Sequence, residues 1–163
     1  MSGPHIAQAG LLLLASLCLP GSAAQAAGPS PFPAMAGSWS GGGTLSTTDG
    51  GQERLRCRAS YDVAGTGAEL RLSLRCASES YTFDLASDVQ YRGGVISGSW
   101  SEASRNASGT LSGRAAGNRI EALAKGASFS ADLSLTTRGG RQTVSIRPQG
   151  TNITDVSLAL ERR

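Results

Sequence analysis

The sequence predicts an all-β protein, an antiparallel up-and-down meander of about ten strands closed into a barrel, with a two-sheet sandwich as the alternative. Three observations predict it. From Gly37 onward apolar and polar residues alternate with period 2, and no segment keeps a 3.6-residue period. Gly-rich turns interrupt the alternation at roughly 8–12 residue spacing. Hairpins folded about those turns place like residues opposite one another, as facing positions on one sheet face must be.

The elements follow in chain order. Residues 9–19, AGLLLLASLCL, form an apolar run. It is shorter than the roughly 20 residues that span a bilayer. Small residues follow, ending in Ala24-Gln25-Ala26, so residues 1–26 read as a signal peptide cut after Ala26. No Lys or Arg precedes the run, and a buried N-terminal helix is the other reading of it. Cys18 lacks the preceding residues of a lipid-modified cysteine. Removing 26 of the 163 residues leaves 137, enough for one domain and one core. Residues 27–36, AGPSPFPAMA, hold three of the six prolines and read as an extended arm or linker. The single β-domain is expected over 37–163.

Strands are expected near 38–47, 53–63, 69–77, 80–91, 95–102, 107–115, 119–125, 128–137, 141–147 and 154–162. Around Ala64-Gly65-Thr66-Gly67-Ala68 the alternation pairs Val63 with Leu70, Tyr61 with Leu72 and Ala59 with Leu74. The same register sets Cys57 opposite Cys76, with Cα atoms about 4.5–5.5 Å apart, within disulfide range. Two cysteines in an exported domain usually pair. Gly93-Gly94 and Gly139-Gly140 suit two-residue type I′ turns. They pair Tyr91 with Ile96, Val89 with Gly98, Leu135 with Val144 and Leu133 with Ile146. The turn at Gly117-Asn118 pairs Ala115 with Ile120 and Gly113 with Ala122. The turn near Gly126 is expected to pair Ala124 with Phe129 and Ile120 with Leu133. Such a meander has one wet and one buried face, and closure removes its exposed edges.

Composition excludes several function classes. The net charge is +3, with Lys125 the only lysine among 15 basic residues. The arginine bias points to a high-GC bacterial genome, hence to the periplasm or, alternatively, secretion. The only histidine is His5, inside the leader, which removes histidine catalysis and histidine-bound metal or haem from the mature chain. No metal site is expected, since no Cys/His cluster and no EF-hand-like loop occurs. No catalytic residue is assigned. Neither S-x-x-K nor G-x-S-x-G is present, and Lys125 falls on the wet face. Asp62, Glu69, Asp84 and Asp88 project outward near arginines. Arg56, Arg58 and Arg75, with Arg54 and Arg71, share an outer face. They read as a docking patch for an anion or as a solvated, charge-balanced face. Nucleic acid is not an expected partner.

The inner face carries small residues, among them Gly41, Gly43, Gly98, Gly109 and Gly113, beside large ones. Such a face either leaves a cavity or lets the walls collapse together. If hollow, Tyr61, Tyr91 and Trp100 are the expected ligand lining.

Gly37-Ser38-Trp39 opens the first strand as a G-x-W, and Arg162 shares the inward face of the last strand with Val156, Leu158 and Leu160. In this the chain resembles the calycins (lipocalins, avidins and fatty-acid-binding proteins). The resemblance implies that Trp39 and Arg162 close one barrel end. The helix pair that lids fatty-acid-binding barrels is missing. The stretches GSWSGGGTLS, ERLRCRASY, LRCASESY, ISGSWSE and SLTTRGGRQTVSI resemble a family of small exported alphaproteobacterial proteins, which implies location and no chemistry. GSWS followed by GTLS occurs twice, as from a hairpin duplication or as a pattern that suits any such barrel. The expectation is an exported, non-enzymatic barrel without cofactor, binding a small apolar or amphiphilic ligand. The alternative is an interaction protein of the envelope. It is similar in build to the small bacterial metalloprotease inhibitors, with the arm 27–36 entering a partner's cleft. No transmembrane segment is expected in the mature chain.

Overall fold

A computed structural model describes residues 28–163. The expected signal peptide, 1–26, lies outside the described residues. Ten antiparallel strands form one closed barrel: β1 (Gly37–Thr47), β2 (Gln52–Ala64), β3 (Glu69–Ala77), β4 (Thr82–Arg92), β5 (Val95–Glu102), β6 (Ala107–Ala116), β7 (Arg119–Gly126), β8 (Ser130–Arg138), β9 (Arg141–Gln149) and β10 (Ile153–Arg162). Each strand pairs with its sequence neighbours, and β1 pairs with β10 to close the ring. The sandwich alternative is thereby set aside.

The hairpin registers follow from the alternation. Between β2 and β3, Val63 faces Leu70, Tyr61 faces Leu72 and Ala59 faces Leu74. Cys57 faces Cys76, and the two form a disulfide with Cα atoms 4.1 Å apart. Both cysteines are buried on the inner face. The Gly93-Gly94 turn holds both residues at positive φ, +56° and +87°. A type I′ turn requires that, and it matches the twist of the strands it joins.

One register differs. Ile120 faces Leu135 and Ala124 faces Ala131, so β8 is displaced by two residues from the expected pairing with β7. The turn closes on a Gly126 N–H bond to the Phe129 carbonyl, 2.8 Å, which leaves Ala127 and Ser128 as its tip. A two-residue slip returns every side chain to the same face, so alternation alone cannot detect it.

The segment expected to be an extended arm is part of the core from Phe32 onward. Residues Phe32–Ala34 make a 3-10 turn at the end of the barrel where β1 begins and β10 finishes. Phe32 is 0% exposed and Met35 2%. Phe32 meets Tyr91 edge to face at 6.2 Å between ring centres. The tyrosine hydroxyl also donates to the Gly28 carbonyl. Burying a side chain of this size is favourable by roughly 1.5–3 kcal/mol.

Candidate functional site

The closed end is built from both termini. Trp39, on β1, faces Arg162, on β10. The guanidinium lies 4.7 Å from the centre of the Trp39 ring. Its two terminal nitrogens donate to the carbonyls of Ala36 and Ala34. The Trp39 indole N–H donates to Met35 O at 2.7 Å. Arginine supplies both the stacking plane and the forked donors that this arrangement uses.

Beneath this plug lies a polar bridge. Tyr61, on β2, donates to Gln142 Oε1 at 2.7 Å, and Gln142, on β9, donates to Thr137 Oγ1 at 3.1 Å. Gln142 is 0% exposed, and Tyr61 and Thr137 are buried. Burial pushes the Tyr61 phenol well above its ordinary pKa, partly countered by its bond to Gln142, so it remains a proton donor. β2 and β9 are separated around the ring by β1 and β10. The bridge therefore spans the interior rather than one wall, and it forms a floor under the plug. Gln142 and Thr137 were missed from the sequence. The signal was present, because two polar residues face each other at inner positions of the β8–β9 hairpin.

Beyond the floor the inner face is apolar. Leu72, Leu74, Leu111, Leu133, Leu135 and Ile146 all point inward, yet each is only partly buried. The Trp100 indole lies along the wall. Trp100, Gly109 and Gly126 stand in one row across β5, β6 and β7. A Cβ at Gly109 would come within 2.9 Å of the Trp100 Nε1 and 1.8 Å of the Lys125 carbonyl. Only glycine admits both strand and ring there, an aromatic covering the gap that glycine leaves in a sheet. Phe129, from the β7–β8 turn, meets the indole edge to face at 5.6 Å.

The rim opposite the plug carries Glu102, Arg105, Tyr81 and Phe83. Tyr81 and Phe83 stack with ring centres 6.3 Å apart, and Arg105 lies 4.7 Å over Phe83. Glu102 is 7% exposed and accepts from the backbone N–H groups of Asp84, Ser104 and Arg105. Burial alone would raise its pKa, but these bonds together outweigh it and hold the carboxyl below its usual range.

The three expected lining residues thus do not form one site. Tyr61 belongs to the floor and Tyr91 to the plug, whereas Trp100 lines the interior near the rim. The arginines stay outside. Arg71 pairs with Asp88 at 3.0 Å and Arg75 with Asp84 at 3.2 Å. Arg58 faces Arg75, and Arg54, Arg56 and Arg58 have no ion-pair partner among the described residues. A groove of about 460 Å³ on the outer wall is lined by Asp62, Glu69, Arg71, Asp88, Gln90 and Ser99, with charges of both signs and no convergent set. Among the described residues no group of three or more His, Cys, Asp or Glu could hold a metal, and no helix is long and apolar enough to cross a membrane.

The barrel is similar to the crystal structure of Rv2717c from M. tuberculosis, with a TM-score of 0.64 and 16% sequence identity over 82% of this chain and 94% of that one. At that identity the likeness is one of fold. No family model and no curated protein matches the chain.

Proposed function

We propose that this protein is an exported, non-enzymatic barrel that holds a small apolar or amphiphilic ligand in its interior. The observation that carries the reading is the inner face itself. Leu72, Leu111, Leu133 and Ile146 point apolar side chains inward and are only partly buried residues, above the Tyr61–Gln142 bridge. Pockets that bind small molecules are concave and predominantly apolar, with few polar groups. Export is supported by the apolar run 9–19, the Ala24-Gln25-Ala26 site and a formed disulfide. The absence of histidine beyond His5 supports a binding role over acid–base chemistry. The alternative partner-binding role for residues 27–36 would require Phe32 and Met35 to leave the core.

The test is native mass spectrometry of protein purified from its own host, together with titration of the stripped protein with Nile red. A retained non-protein mass and a saturable fluorescence increase are expected. Release of no ligand and no saturable dye binding would remove the proposal.

A further inference from the structure

The inference drawn here rests on the reading of the interior as a ligand chamber and specifies what the chamber takes. Among the described residues, Trp100 Nε1 is the buried side-chain polar atom without a hydrogen-bond partner. The residue is 7% exposed. A buried donor left unmade is costly, and native proteins rarely keep one without a reason. Leu85, Leu111, Leu133, Ile146 and Phe129, all partly buried, pack against the cluster that Trp100 forms with Ala124 and Ala131. Four of these are held on strands. Phe129 alone of the five comes from a turn, between β7 and β8, and is the neighbour most able to swing away.

Charge narrows the class of ligand. The charged side chain that faces the interior near Trp100 is Glu102, an anion fixed by three backbone N–H groups. Arg105 at the rim is already engaged by Glu102 at 3.6 Å and by the Thr82 carbonyl at 3.0 Å. Arg162 is engaged in the plug at the other end. Desolvating a carboxylate without a cation is strongly unfavourable, and a single indole N–H does not compensate for it. A neutral acceptor has no such cost.

We propose that the chamber takes a neutral amphiphile, an aliphatic body bearing an uncharged carbonyl oxygen, and that this oxygen accepts the Trp100 indole N–H after Phe129 moves aside. The aliphatic body lies against the leucines between Trp100 and the Tyr61–Gln142 floor.

The experiment follows displacement of Nile red from the full mature protein by methyl laurate and by laurate at pH 7.5. In parallel, ¹⁵N–¹H spectra follow the two indole protons. Trp39 is the internal reference, because its N–H is already bonded to Met35. The ester is expected to displace the dye at least tenfold more effectively than the acid, and to move the Trp100 indole proton downfield while leaving that of Trp39. Trp100→Phe keeps an apolar ring and removes the donor. It should weaken the ester about tenfold, the equivalent of about 1.4 kcal/mol. Ester binding with an unmoved Trp100 proton would overturn the inference and leave the hollow-barrel reading intact, as would laurate binding at least as well as the ester. Failure of Nile red and both laurates to bind the native protein would overturn the two together. Should Trp100→Phe not fold, the spectra of the unaltered protein decide the question.

Discussion

Removing the Phe32 side chain tests whether the barrel ends where its strands end. Phe32 lies outside every strand, in a proline-rich segment, yet it is 0% exposed and packs on Tyr91. Phe→Ala in a well-packed interior costs about 3–5 kcal/mol, as lost transfer energy plus the cavity left behind. At a barrel end the neighbouring chain can settle into part of that space, so the low end, about 3 kcal/mol, is the expectation. For a domain of this length that lowers Tm by about 10 °C. Domains of this kind hold roughly 5–15 kcal/mol in total, so the loss is a large fraction. The assay is urea and thermal unfolding of mature chain carrying Phe32→Ala, with Val95→Ala beside it. Val95 is 51% exposed, and its truncation should stay within about 0.5 kcal/mol. If the two variants unfold at the same denaturant midpoint, residues 28–36 are not part of the cooperative unit and the plug is wrongly assigned.

Replacing Cys57 and Cys76 together by serine opens a loop with a sequence separation of 19 and should cost about 3 kcal/mol, read as a lower denaturant midpoint that excess reductant does not lower further. Arg162→Lys keeps the charge but loses the forked donors and the stacking plane. A loss of about 1–2 kcal/mol is expected, with a red-shifted Trp39 emission as the nearby optical sign. The Glu102 carboxyl has its pKa lowered on folding from an ordinary 4.5. Its contribution is therefore present above pH 4.5 and is lost as pH falls through the depressed folded value. Glu102→Gln should flatten the acid limb of the stability–pH curve below pH 4.5, and an unchanged limb would contradict the assignment.

Much of the architecture was legible because one face of every strand is greasy and the other is wet. That constraint fixed the β2–β3 register and, with it, the Cys57–Cys76 bridge. The same rule is blind to even-numbered slips, which is why β7 and β8 lie two residues from their expected match. It is also blind outside strands. Phe32 and Met35 are isolated apolar residues among prolines, with no period to betray a buried face. The inner face was readable as a list of residues but not as a space. Whether Leu72 and Leu133 meet across the barrel depends on how far each strand is staggered around the ring, a property of all ten strands together. The inward position of Trp100 was legible, whereas the lie of its indole along the wall depends on Gly109 and Gly126, which pattern reading treats as neutral.

The seam between β1 and β10 joins residues that are more than a hundred positions apart in sequence, from Trp39 with Arg162 to Thr47 with Ile153. β1 must therefore wait, unpaired on one side, until β10 has been delivered. Contacts this distant slow folding, since the loop must be closed before they reward it. The waiting strand is GSWSGGGTLST, four parts glycine with weak preference for pairing, and so a poor template for neighbouring chains. Its glycines lower the intrinsic pairing preference of the flank that stays open through that interval.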